Sequence, residues 1–255
     1  MTHYDDPAVL AEIVAGSRSP ILVGLDVDGV LAPLVDHADD ATLLDGTGDV
    51  VHRLAEHDGV DVAALSGRSL AGLEQFGFGE GVHVIGSHGM EWRSADVLEL
   101  QPEEQQRLDA VVALAEQAAD SAGEGAWVEY KPASVVLHVR QADARAGTAA
   151  CEELARRAGE LDGVRVKRGQ SVLELLAREG DKGSALRRLA HRLGVHTVVF
   201  AGDDVTDEDA FAALGDGDVA IKIGDADTIA PYRLRDPEAV RAWLHELDRL
   251  LDRGR

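Results

Sequence analysis

Residues 21–29 read Ile-Leu-Val-Gly-Leu-Asp-Val-Asp-Gly. Five residues after Pro20 run without polar alternation, the pattern of a strand buried on both faces. The run ends in two carboxylates, Asp26 and Asp28, with Gly29 behind them. In an open α/β sheet, ligands bind at the carboxyl ends of the strands. The acidic pair therefore falls where chemistry would be done.

Similar short runs occur at 62–65, 82–85, 197–201 and 219–223. Helical patterns lie between and after them at 48–57, 69–76, 182–193, 206–214 and 237–252. Strands alternating with helices predict an α/β fold with a Rossmann-like parallel-sheet core. Residues 98–176 break the pattern. Helical stretches at 102–121 and 142–160 are interleaved with strand candidates at 127–130, 134–139, 163–167 and 171–176, the first two joined through Pro132. An antiparallel sheet in a smaller α/β cap follows, inserted into a discontinuous core of residues 1–97 and 177–255.

Composition narrows the partners. The chain has 255 residues, a formal net charge of −22 and only four lysines, Lys131, Lys167, Lys182 and Lys222. Such a surface repels nucleic acid and anionic lipid. An anionic substrate can approach only where a cation reverses the field locally. Cys151 is the single cysteine, which leaves no disulfide within the chain and no cysteine-rich zinc cluster. The first fifteen residues carry Asp5, Asp6 and Glu12 and lack the basic and apolar regions of a leader. No run approaches the ~18 apolar residues of a membrane span. A soluble cytoplasmic protein is expected, monomeric by default, with a small-molecule partner.

A second acidic group, Gly202-Asp203-Asp204-Val205-Thr206-Asp207, ends the strand at 197–201. Each cluster has an ordinary reading: Asp-x-Asp-Gly as a turn, and the run 203–209 as a helix N-terminus favoured by the dipole. An EF-hand fails, because the glycine and glutamate offsets are missing. Both clusters in one crevice would repel each other unless a cation sat between them, and a hard divalent ion such as magnesium suits oxygen ligands beside phosphate. Two further elements join them. Ser66-Gly67-Arg68 follows the second strand, where a hydroxyl and backbone N–H groups can hold phosphate oxygens. Lys182 opens a helix, a place unfavourable to a cation unless an anion is near.

In order and placement these four segments resemble the motifs of the haloacid dehalogenase superfamily. The resemblance implies that Asp26 is a nucleophile that becomes an aspartyl-phosphate, and that Asp28 is first general acid and then general base. It implies Ser66, Gly67 and Lys182 as phosphate-binding residues. It places Mg2+ on Asp26, the Asp28 carbonyl and Asp203, with Asp207 or Asp204 in support.

The finer pattern is similar to trehalose-6-phosphate phosphatases, on Leu25–Pro33 (LDVDGVLAP), Leu65–Arg68 (LSGR), Gly86–Glu91 (GSHGME), Gly202–Phe211 (GDDVTDEDAF) and Lys131-x-x-Ser134-x-x-x-His138-x-Arg140. That likeness implies a magnesium-dependent phosphohydrolase releasing trehalose and phosphate from trehalose 6-phosphate. Arg68, His88, Glu91, Lys131, Ser134, His138 and Glu174 would be its substrate-binding residues, the last four on a cap that closes over the core. Two departures stand out. Val30 replaces a usual threonine, and Leu176 and Ala177 stand where a basic residue and proline are common. The alternatives are a phosphatase for another disaccharide or pseudo-disaccharide phosphate, a phosphomutase, or a catalytically silent sugar-phosphate sensor, which would be expected to have lost Asp26 or Asp28.

Overall fold

The computed structural model describes residues 3–93, 100, 102–131, 133–169, 171–178 and 181–253. The chain forms two compact units, Met1–Ala95 with Asp181–Arg255, and Asp96–Gly180.

The first unit is built on β1 (Ile21–Leu25), every residue of which is buried. It lies between β2 (Val60–Leu65) and β9 (Thr197–Gly202), parallel to both. β3 (Val82–Gly86) and β4 (Glu91–Trp92) extend the sheet on one side, and β10 (Val219–Ile223) and β11 (Tyr232–Leu234) on the other. All seven strands pair in parallel except β3 with β4. In register, Leu25 stands opposite Ala64 and Ala201. Asp26, Ser66 and Asp203 therefore leave the sheet at one edge, which is what positions the site.

Two layers of helix bury the apolar side chains of the strands. Val23, Leu25, Val62 and Val199 pack with Leu10 and Val14 of α1 (Pro7–Ala15), Val50 and Leu54 of α2 (Thr47–Ala55), and Trp243 of α8 (Pro237–Arg253). The alternate position, Gly24, faces Leu186 of α6 (Lys182–Leu193). The helical pattern at 69–76 resolves into a single turn, α3 (Leu70–Leu73), and a 3-10 turn to Phe76. That at 206–214 becomes a 3-10 turn and α7 (Glu208–Ala213). Helix α1 was not anticipated, although its start is written in the sequence: Asp6 accepts the Ala8 N–H and Pro7 takes the first helical position.

The second unit packs α4 (Pro102–Ala122) and α5 (Ala144–Ala158) on one face of an antiparallel sheet. The sheet order is β5 (Trp127–Tyr130), β6 (Ser134–His138), β8 (Val172–Leu176), β7 (Arg165–Gly169). Val135, Leu137, Leu173 and Leu175 enter that core with Val111, Ala115 and Leu154. Side chains alternate across a strand, so Ser134, Val136, His138 and Glu174 make up the opposite face. Strand β7 starts two residues later than the 163–167 pattern, because Asp162 and Gly163 form a turn.

The expected boundary at 97/98 lies outside the described residues, as does Pro132. At the return, residues 177–180 fall in the second unit. The Ala177 N–H donates to the Ala133 carbonyl at 3.0 Å, and buried Arg178 donates to both oxygens of Glu104 at 3.1 and 2.9 Å. Among the described residues, no helix is long and apolar enough to cross a membrane.

Candidate active site

Asp26 takes over from β1 with its backbone still in the sheet, its N–H donating to the Ala201 carbonyl at 2.9 Å. Its side chain is buried, and Oδ1 accepts the Val27 N–H at 2.7 Å. Oδ2 lies 2.8 Å from Lys182 Nζ, which also donates to Asp207 Oδ1 at 2.7 Å. The lysine at the start of α6 thus has its anions, two of them, and Asp181 rather than Lys182 caps the helix by accepting the Ser184 N–H. Burial raises the Asp26 carboxyl well above the ordinary carboxylate range; Lys182 opposes the rise and Asp207 adds to it. Burial also works against the charge on Lys182, but Asp26 and Asp207 outweigh it and its pKa is raised.

Asp203 leaves β9 beside this group. Its pKa is raised to about 6, first by burial and then by Asp207. Two glycines make the crowding possible. Gly29 has φ +75°, and a Cβ there would stand 2.0 Å from Asp203 Oδ2. A Cβ on Gly202 would stand 2.4 Å from Asp207 Cγ. Oxygen atoms of Asp26, Asp203 and Asp207 come within 4.8 Å of one another. Three carboxylates against one ammonium leave two negative charges, and an all-oxygen anionic donor set of that charge fits a hard divalent cation. Asp204 is exposed and accepts the Val205 N–H, whereas buried Asp207 accepts the Asp204 N–H through Oδ2. Of the two candidates for support, Asp207 is the one built into the cluster.

The Ser66-Gly67-Arg68 segment and the Gly86–Glu91 segment form one braced structure. Ser66 and Arg68 carbonyls accept from the His88 and Ser87 N–H groups at 2.9 and 2.6 Å. Glu91 accepts the Leu70 N–H at 2.8 Å and the Ser87 hydroxyl at 2.6 Å. Its carboxylate thereby ties the first turn of α3 to the 87–91 turn. Asp28 is held differently from Asp26. Both its oxygens accept from Arg68, Oδ2 from Nε at 2.6 Å and Oδ1 from Nη2 at 2.7 Å. An open cleft of about 670 Å³ in the first unit is lined by Asp26, Asp28, Ser66, Arg68, Lys182 and Asp203, with Gly67 and His88 also on its wall.

Lys131, Ser134 and Glu174 come together in the second unit. Glu174 Oε1 accepts from Lys131 Nζ at 3.0 Å and from the Ser134 hydroxyl at 2.8 Å. His138 stands apart on the same face, stacked on Trp127 at 3.9 Å and bonded to Glu129 at 2.8 Å. One residue was missed. Lys222 on β10 is buried and donates to the Asp203 carbonyl at 2.7 Å, fixing the loop that carries the acidic group. Its signal was a lysine in the middle of an otherwise apolar strand.

Comparison with known proteins agrees with this architecture. The family described as Trehalose-phosphatase matches residues 24–238. Over 242 residues the chain is 37% identical to trehalose-phosphate phosphatase of Mycobacterium marinum, covering 88% of this chain and 60% of that protein. It is 30% identical over 247 residues to probable trehalose-phosphate phosphatase C of Arabidopsis thaliana, covering 89% of this chain and 76% of that protein. The fold is that of trehalose-6-phosphate phosphatase of Aspergillus fumigatus, with a TM-score of 0.68 at 24% identity over 98% of this chain and 100% of that one. The chain thus spans about 60% of the length of the mycobacterial relative. Matched over most of its length, this chain belongs to the trehalose-phosphatase family.

Proposed function

We propose that this chain hydrolyses trehalose 6-phosphate to trehalose and inorganic phosphate. The observation that carries the reading is Lys182 bridging Asp26 and Asp207 at the strand ends, beside Asp203. An ammonium and a divalent-cation site next to one carboxylate suit a dianionic phosphoryl group approaching that carboxylate. The names of the family and of its relatives supply the sugar.

Asp26 is the nucleophile of this reading. A carboxylate oxygen attacks phosphorus, the ester P–O bond breaks, and the departing sugar oxygen takes a proton from Asp28. Asp28 then accepts a proton from the water that attacks the aspartyl-phosphate, releasing phosphate and restoring Asp26. Ser66, Gly67 and Lys182 hold the phosphoryl oxygens. The side chains of Asp26, Asp203 and Asp207, with the Asp28 carbonyl, would hold Mg2+, which when bound offsets the charge on the phosphoryl group. Glu174, oriented by Lys131 and Ser134, reads sugar hydroxyls. Glu91, with both oxygens committed to the brace, acts on substrate through the shape of the 66–70 loop.

A panel of sugar phosphates incubated with magnesium tests the reading, with both phosphate and sugar products identified. Free phosphate is expected, fastest from trehalose 6-phosphate. An isomeric sugar phosphate as product would make the chain a mutase, and a distinctly faster alternative sugar would replace the substrate.

A further inference from the structure

We propose that Arg68 is a positioning residue for Asp28, not a group that reads the sugar; the inference rests on the proton-transfer role given to Asp28 above. The guanidinium meets the carboxylate as a fork, with two N–H···O bonds of 2.6 and 2.7 Å to different oxygens. Two parallel bonds between planar groups fix the plane of the carboxylate as well as its place. Among the described residues, no other side chain hydrogen-bonds to Asp28.

The fork is itself anchored. Arg68 Nη1 donates to the Ala38 carbonyl at 2.7 Å, and the guanidinium carbon lies 5.2 Å from the Phe76 ring centroid. The Arg68 backbone is tied in as well, its carbonyl accepting the Ser87 N–H and its N–H donating to the Ser66 hydroxyl at 3.1 Å. Three of its five side-chain donors are thus committed before any sugar arrives. The Arg68 side chain is 14% exposed against 30% for Asp28, so the more buried partner sets the position of the more open one. A proton-transfer group works only within hydrogen-bond reach of the atom it serves, and small misplacements of such groups are costly. Lysine carries the charge of Arg68 without its fork, so it should not replace it.

A positioning role makes a distinctive prediction, because only some leaving groups need Asp28. A phenolate of high pKa must be protonated as the P–O bond breaks; 2,4-dinitrophenolate leaves without help. The experiment measures kcat and KM of wild type, Arg68→Lys, Asp28→Asn and the double variant on both aryl phosphates, with magnesium and with a thermal melt of each protein. Arg68→Lys should raise the ratio of kcat/KM on dinitrophenyl phosphate to kcat/KM on phenyl phosphate, which reports ester cleavage and not the later hydrolysis of the shared aspartyl-phosphate, by roughly 100-fold, the size of one general-acid contribution. The double variant should raise it no further than Asp28→Asn alone. Arg68→Gln, which keeps one donor toward Asp28, takes over if Arg68→Lys loses its cooperative melt.

Equal losses in kcat/KM on the two esters would overturn the inference and place Arg68 on the phosphoryl group. An unmoved ratio with a raised KM for trehalose 6-phosphate alone would overturn it in favour of sugar reading. If Asp28→Asn itself leaves the ratio unmoved, the role of Asp28 fails first and this inference with it.

Discussion

Replacing Lys182 by methionine removes one charge and exposes the logic of the site. The lysine side chain is 2% exposed, between Asp26 at 7% and Asp207 at 0%. Breaking a buried ion pair from one side costs about 3–5 kcal/mol, because the partner charge is left uncompensated; here two carboxylates lose the same partner. At about 2–4 °C per kcal/mol for a unit of this size, Tm should fall by roughly 6–20 °C in chelator at pH 8. The deficit should shrink toward pH 5, where the orphaned carboxylates take up protons in place of the lost ammonium. Magnesium should raise Tm more in the variant than in wild type, since a cation among Asp26, Asp203 and Asp207 restores part of the missing charge. A Trp127→Phe background confines tryptophan fluorescence to Trp92 and Trp243, both in the first unit. A Lys182→Met protein within about 1 kcal/mol of wild type in chelator at pH 8 would refute the reasoning, and so would an equal response to magnesium.

Asp203 makes metal-free stability depend on pH. Its folded pKa of about 6 lies above the ordinary value of 3.8, so the stabilisation is complete below about pH 4 and is lost as pH rises through 6. Asp203 is partly exposed, and solvent screening reduces the effect to about 1 kcal/mol; denaturant midpoints in chelator at pH 4.5 and 7 should show the fall, and Asp203→Asn should lessen it by that amount, leaving the part due to Asp26, which burial raises in the same direction. In the second unit, Glu174→Gln and Lys131→Ala should each lower kcat/KM for trehalose 6-phosphate by roughly 10–100-fold, the size of one or two hydrogen bonds to charged groups. The ratio of that constant to the one for p-nitrophenyl phosphate should fall by the same factor; equal losses on both substrates would show that these residues shape the protein instead.

The parallel core was legible because its strands are buried on both faces, which writes them as mainly apolar runs without strict alternation; 21–25 and 219–223 match β1 and β10 residue for residue. Burial writes no such signature into β4 and β11, two and three residues long, and both passed unnoticed. Short elements are held by neighbours more than by their own pattern. Strand-end carboxylates were legible for the same reason the strands were. The helix start at Lys182 asks for an anion nearby, and which anions answer depends on pairings across 156 and 25 residues of chain that only the fold supplies. Glu91 and Arg68 illustrate the limit most clearly. In the fold the Glu91 carboxylate accepts from Leu70 and Ser87 and the Arg68 guanidinium holds Asp28, partners that neither local motif names. Hydrogen-bond destinations of long polar side chains are set by tertiary geometry, to which local sequence is blind.

The nucleophile and the cation site meet in one measurement, phosphate release from trehalose 6-phosphate by metal-stripped protein before and after adding magnesium, run in parallel on Asp26→Asn. Wild type should be silent in chelator and active with magnesium. Asp26→Asn should be silent in both, since an amide does not form the acyl-phosphate, while melting cooperatively as a folded protein. Turnover by metal-free wild type at the full rate would contradict the cation site, and turnover by metal-loaded Asp26→Asn at more than a small fraction of the wild-type rate would contradict the nucleophile.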